Sequence, residues 1–157
     1  MVEIRVILLI LRILVKKENI VSTLYRFGIS LEEGLIQEFD KHIQGRNYKN
    51  RSEAIRDLIR ADLVKKQWLC DNEVAGAIVM NYDHHKRELV NKLIDIQHDF
   101  QTTIISTQHI HIDHHNCLEI IAVRGKARDV ENLASKLKSQ VGVKHVALSM
   151  STTGSNL

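Results

Sequence analysis

Residues Thr102–Arg124 read TTIISTQHIHIDHHNCLEIIAVR. Two runs rich in Ile, Val and Thr, Thr102–Ile112 and Cys117–Arg124, flank a polar centre. Such runs pair as antiparallel strands when a polar cluster turns the chain between them. With His111 opposite Cys117, the connection is Ile112–Asn116, an acceptable hairpin length. Upstream, His84–Phe100 spaces Leu89, Leu93, Ile94 and Ile96 as an amphipathic helix, and Val74–Tyr82 reads as a strand before it. Downstream, Gly125 breaks the run. Ala127–Gln140 then places Val130, Leu133, Ala134 and Leu137 on one helical face, and Val143–Met150 reads as a last strand. The order βαββαβ predicts a ferredoxin-like α+β domain over residues 73–151, with a polar tail after it.

The N-terminal part follows a different pattern. In Leu24–Ser30, Tyr25, Phe27 and Ile29 alternate with Arg26, Gly28 and Ser30, as in a half-buried strand. Leu31–Gln44 carries Leu31, Leu35, Ile36, Phe39 and Ile43 at helical spacing, with Gly45 as a stop. After a polar loop, Arg46–Arg51, Ser52 reads as the N-cap of a second helix running to about Gln67. Ile55 in its third position leaves no capping box. Ile55, Leu58, Ile59 and Leu63 form its apolar stripe. A lone strand must find another edge for its backbone groups. A second copy of the chain supplies one, giving a two-stranded ribbon and a strand–helix–helix domain over residues 23–67. Residues 66–73, with Trp68 and Cys70, read as the connector.

The 157 residues are 44% hydrophobic, enough for a packed core in one domain or two small ones. A net charge of +3 does not imply nucleic acid by itself. Its excess of Lys and Arg lies in the first 70 residues, which suits an N-terminal anion-binding unit. Two cysteines make no disulfide framework and point to a reducing compartment. Met1–Val15 is apolar but interrupted by Arg5 and Arg12. It is too short to span a bilayer and has no small-residue cleavage site. The expectation is a cytoplasmic protein without a membrane partner. Residues 1–22 are an extension of uncertain status, with Val21 and Leu24 close to where an alternative start would fall.

Seven of the nine histidines fall between His84 and His115. His109 and His111, two apart on a strand, project to one face. In the hairpin register Cys117 joins them, and Glu119 lies opposite His109, placed to hold an imidazole N–H. A single histidine there would be a decoration of a solvated face. Two at this spacing, with a register-matched thiol, favour a late first-row metal ion. His98, near the end of the preceding helix, is the best candidate for a fourth donor, within a chain or between chains. His114 and His115 read as solvent-facing loop residues, and His84 and His85 as opening a helix without a specific site. His42 and His145 read as surface or packing residues. A tetrahedral sulfur–nitrogen set favours zinc, and a planar set of three nitrogens and one thiolate favours nickel or copper. Spacing alone does not separate them.

Asn50-Arg51-Ser52-Glu53-Ala54-Ile55-Arg56-Asp57, His109-Ile110-His111-Ile112-Asp113 and Asn116-Cys117-Leu118-Glu119 together resemble the nickel-responsive regulators of the NikR family. The resemblance runs from Leu24 to Met150. It implies a ribbon-helix-helix DNA-binding domain joined to a ferredoxin-like (ACT-like) regulatory domain, in a homotetramer built as a dimer of dimers. It implies Ni(2+), one per subunit, held by His109, His111 and Cys117 of one chain with His98 of a facing chain. Gln97 and Glu119 match its hydrogen-bond network. Glu53 and Asp57 match a secondary cation site, although acids at a helix start are commonly a solvated, dipole-favoured face. Arg26, Gly28 and Ser30 match the positions that enter the major groove of a palindromic operator, and Ser52 matches a backbone phosphate contact. Gly28 departs from the family, which has Thr or Ser there. The implied function is a transcription regulator, a repressor of nickel uptake, and not an enzyme, since four protein ligands leave no open position for substrate. The alternatives are a zinc or copper sensor of the same architecture, or a metal storage or delivery protein that does not bind DNA.

Overall fold

The computed structural model describes residues 24–155. The expectations for residues 1–22 and for the last two residues of the tail lie outside them. The chain divides into two compact units between Asp40 and Lys41.

In the first unit, residues 24–32 form neither helix nor strand, and Leu24, Tyr25, Phe27 and Ile29 are exposed. The strand expected at Leu24–Ser30 is therefore not formed in the single chain. The physical reason is pairing: a strand needs a partner edge, and the four strands among the described residues pair with one another. Helix α1 (Glu33–Gly45) follows, starting two residues later than its apolar spacing suggests.

Gly45 is the last residue of α1, but the left-handed turn comes at Asn47, with φ 59°. Helix α2 (Arg51–Leu69) has Asn50 as its N-cap, not Ser52. Asn50 Oδ1 accepts from the Glu53 amide at 2.9 Å, and the Glu53 carboxylate accepts from the Lys49 amide at 3.1 Å. With the cap two residues earlier, Glu53 and not Ile55 occupies the third helical position. The reciprocal arrangement of a capping box is thus nearly achieved, which the sequence reading had excluded.

Beyond α2, strand β1 (Glu73–Tyr82) leads to α3 (Arg87–Asp99), then β2 (Ile104–His111), β3 (Cys117–Lys126), α4 (Ala127–Lys138) and β4 (Val143–Met150). The sheet order is β2-β3-β1-β4, all antiparallel. This is the expected split βαββαβ arrangement. Alternate residues of β1 (Val74, Ile78, Met80, Tyr82) and of β3 (Cys117, Glu119, Ile121, Val123) are buried. Leu89 and Leu93 of α3 and Val130, Leu133 and Leu137 of α4 complete the core. Each fully buried aliphatic side chain contributes roughly 1.5–3 kcal/mol of transfer free energy. Trp68 of α2 joins this core, its indole N–H donating to the Ser151 carbonyl at 2.8 Å. Gly76 allows that approach, because a Cβ there would meet the Ser149 carbonyl at 2.7 Å and the Trp68 ring at 3.5 Å.

One irregularity decides where the histidines point. Ile104 pairs with Val123 but Ser106 pairs with Ala122, so Ile105 is an extra residue. A bulge of one residue reverses the alternation beyond it. Ile104 and the odd-numbered residues Thr107, His109 and His111 therefore share the face of Ile121 and Cys117, while Ile105 is 65% exposed. Without the bulge, packing Ile104 against the core would turn both histidines to the other face.

Candidate metal centre

The register brings the donors together. His111 pairs with Cys117, and Cys117 pairs with Tyr82 on the other side, so three adjacent strands present one row at the end of the sheet. The next row is His109, Glu119 and Met80. The β2–β3 pairing is the one the five-residue connection predicts.

Cys117 Sγ is buried and meets three imidazoles: His109 Nε2 at 3.0 Å, His84 Nδ1 at 3.1 Å and His111 Nδ1 at 3.2 Å. A late first-row ion about 2.3 Å from sulfur and 2.0–2.1 Å from nitrogen places adjacent donors about 3.1–3.6 Å apart. The sulfur–nitrogen distances fit that requirement. The donor atoms of His84, His111 and Cys117 lie within 4.8 Å of one another, and His109 reaches the sulfur from outside that mutually close set.

Glu119 underpins this cluster. It is buried, with one oxygen accepting from Tyr82 Oη at 2.7 Å and the other from Gln97 Nε2 at 2.8 Å. Burial, and then the bond to Glu119, push the Tyr82 phenol well above its ordinary range, so it stays protonated. Its proton goes to Glu119, which leaves the oxygen as acceptor for His109 Nδ1 at 3.2 Å. That bond fixes the tautomer of His109 with the proton on Nδ1 and the lone pair on Nε2, toward the sulfur. Glu119 thus acts on His109 through Tyr82. Gln97 is itself approached by Thr107 Oγ1 at 3.3 Å.

Electrostatics favour the neutral forms of two of the groups, Cys117 and His84. Burial, with added repulsion from Glu119, Asp113 and Asp83, pushes the Cys117 thiol up. Burial and the neighbouring His85 and His111 push His84 down, which keeps its imidazole neutral and able to ligate. Binding a cation must therefore displace the thiol proton. Replacing Tyr82 by phenylalanine keeps the ring but removes the link between Glu119 and His109. We expect metal affinity about 10- to 100-fold weaker, read by competition with a chelator, with the fold retained.

His84 and Tyr82 were not singled out by the sequence. His84 and His85 were read as helical, but α3 begins at Arg87 and both histidines lie in the turn after β1. The usable signal is Asp83-His84 directly after Tyr82, the last residue of β1, which pairs with Cys117. His98 is not brought to the sulfur. It is exposed at the end of α3, beside a shallow hollow of about 270 Å³ shared with Ile94, Gln97, Gln101 and Ile104. Glu53 is engaged by the Lys49 amide and Asp57 by the Tyr48 hydroxyl, so a cation at that pair would compete with two hydrogen bonds. Arg26, Gly28, Ser30 and Ser52 are all exposed. No helix among the described residues is long and apolar enough to cross a membrane.

Comparison with known proteins agrees with both halves of the chain. Residues 75–151 match the NikR C-terminal nickel-binding domain. Residues 25–66 match the ribbon-helix-helix proteins of the copG family. A protein of Chlorobium limicola named "Putative nickel-responsive regulator" is 70% identical over 133 residues, covering 85% of this chain and 99% of its own. Proteins of the same name from Chlorobium phaeobacteroides and Syntrophus aciditrophicus are 64% and 58% identical, covering 83% and 85% of this chain and 98% and 97% of their own. Two domain matches in the expected order, and identity extending over almost the full length of these relatives, place the chain in the NikR family of nickel-responsive, ribbon-helix-helix regulators.

Proposed function

We propose that this chain is a cytoplasmic, nickel-dependent repressor of nickel uptake that binds a palindromic operator as a homotetramer, one Ni(2+) per subunit. The observation that carries the metal assignment is the buried Cys117 sulfur with imidazole nitrogens at 3.0–3.2 Å. His109, His111 and Cys117 hold the ion from one chain, and His98 of a facing copy completes the set. Support for the facing copy comes from the sheet and the helix before it: β2 is an edge strand, Ile105 and Ile94 are exposed, and His98 is exposed beside Ile94. The exposed Leu24, Tyr25, Phe27 and Ile29 support pairing of two N-terminal segments into a ribbon. Arg26, Gly28 and Ser30 would then face the bases, and the Ser52 region a phosphate. Bridging by nickel orders the helix that carries His98 and biases how paired ribbons meet DNA.

A second reading has its own observation. His84 already lies 3.1 Å from the sulfur, so three imidazoles and a thiolate can close a site within one chain. Such a site gives the ion no direct hold on a second copy. The two readings separate in a DNA-binding titration, using duplexes selected from a random library in the presence of nickel. Nickel is expected to tighten wild-type binding about 5- to 150-fold, the usual range of allosteric coupling. His98→Ala should abolish that gain and His84→Ala should leave most of it. The reverse pattern would assign the fourth ligand to His84.

A further inference from the structure

Only three residues, Cys70–Asn72, join α2 to β1, and each of their amides is bonded. The Cys70 amide donates to the Lys66 carbonyl at 3.0 Å, Asp71 to Trp68 at 3.2 Å and Asn72 to Gln67 at 3.0 Å. Asp71 is left-handed, with φ 52°. The last two bonds and that dihedral make the Schellman termination of a helix, which gives the chain one exit direction from α2.

That exit is fixed to the regulatory domain. Asp71 Oδ1 accepts from the Arg128 amide at 2.9 Å, and the Asn72 carbonyl accepts from the Ala127 amide at 3.1 Å. Those two amides open α4, and the first donors of a helix have no partner within it. Trp68, in the last turn of α2, is 5% exposed, and its indole N–H donates to the Ser151 carbonyl just after β4. The Ser151 amide donates in turn to the Ala75 carbonyl of β1 at 3.0 Å. Val64, one turn further back, packs against the same core. The foot of α2 is thus held by β1, by α4 and by the end of β4. From this seam β1 runs to Tyr82, which pairs with Cys117 at the sulfur centre, so the foot of α2 and the metal-binding thiol belong to one hydrogen-bonded body.

We propose that Trp68 and Asp71 are positioning residues of the nickel response: they make α2 a rigid arm of the regulatory domain, and this arm, not a flexible linker, carries the metal-dependent placement of that domain to DNA. The arm is long enough to magnify small errors. Its 19 residues, at about 1.5 Å each, span about 28 Å, so a tilt of about 10° at the foot moves the Asn50 end by roughly 5 Å. A hydrogen bond to a phosphate does not survive a displacement of that size. The Ser52 region, proposed above to meet a phosphate, stands at that far end. A seam that holds the foot to a few degrees is therefore what lets the position of the sheet be felt at the duplex.

The inference rests on the regulatory reading, and two measurements on the full-length protein separate their failures. Trp68 is the only tryptophan of the chain, so its emission reports the seam without DNA. Emission should be blue-shifted and shielded from acrylamide in both the metal-free and the nickel-loaded protein. A solvent-like, readily quenched emission in either state would show the seam opening and overturn the proposal, whatever happens on DNA. The DNA titration above then compares Asp71→Asn with Asp71→Gly. Both remove the same charge and both accept the left-handed dihedral, but only asparagine keeps an acceptor for the Arg128 amide. Glycine is the preferred residue at this position of a helix end, so a purely local role predicts no loss. Asp71→Asn should keep the wild-type nickel gain. Asp71→Gly should drop it below about fivefold, the lower end of allosteric coupling, with nickel affinity itself unchanged. Trp68→Phe, which keeps a ring but loses the donor to Ser151, should fall between them. Equal gains in Asp71→Gly and Asp71→Asn would also overturn the proposal. A wild type without any nickel gain would sink the regulatory reading instead, and the emission would still decide whether α2 is rigidly held.

Discussion

Replacing Cys117 by serine is expected to weaken nickel binding by more than about 100-fold, because changing even an outer partner of a metal ligand costs about 10- to 100-fold. The sulfur is buried, and it is the group that the half-buried His84 and the exposed His109 and His111 all approach. A hydroxyl does not ionise near neutral pH and is a harder, poorer ligand for a borderline ion. Serine is nearly isosteric, so the core around Tyr82 and Ile121 should remain packed. The variant should fold, lose thiolate-to-metal absorption, and bind DNA without response to nickel. Competition titration against a chelator measures the affinity. A serine variant with wild-type affinity would remove the sulfur from the site.

The second large effect is on pH. Burial and Glu119 push the Cys117 thiol up, so at neutral pH the metal-free protein carries a proton on that sulfur. Metal binding releases it, and falling pH opposes the release. The dissociation constant should therefore rise about tenfold for each unit that pH drops below the thiol's own range, or about 100-fold from roughly pH 8 to pH 6. His84 is pushed down by burial and by neighbouring imidazoles, so its protonation adds to the loss only at the acid end. In Cys117→Ser the slope over the neutral range should flatten. Equal slopes in the two proteins would show that another group gives up the proton.

The geometry of the β2–β3 hairpin is legible in the sequence. The spacing His109-x-His111, a five-residue connection and Cys117 specify one face of one hairpin, and the pairing follows. The βαββαβ order was equally plain, since each helix shows its apolar stripe and each strand ends at a polar cluster. Other features depend on geometry that spacing does not encode. The bulge at Ile105 leaves no mark in a run of β-prone residues, yet it sets which face His109 and His111 occupy. His84 and His85 looked helical because the apolar spacing beginning at Leu89 extends backward without a breaker; the helix starts only at Arg87, which frees two histidines to point in different directions. Tyr82 could be read as a core residue but not as the link between Glu119 and His109, which needs three strands in register. Asn50 and Ser52 are both good capping residues by type, and only the Glu53 contacts assign the cap to Asn50. The Leu24–Ser30 segment alternates like a strand but forms none among the described residues, because a strand needs a partner edge and alternation alone does not supply one.

X-ray absorption spectroscopy of the nickel-loaded, reduced protein tests the central claim most directly, at one metal equivalent per chain. The account predicts a four-coordinate ion with one sulfur at about 2.2–2.3 Å and three nitrogens at shorter distance. A coordination sphere of nitrogen and oxygen alone, with the Cys117 thiol still open to alkylation, would contradict it.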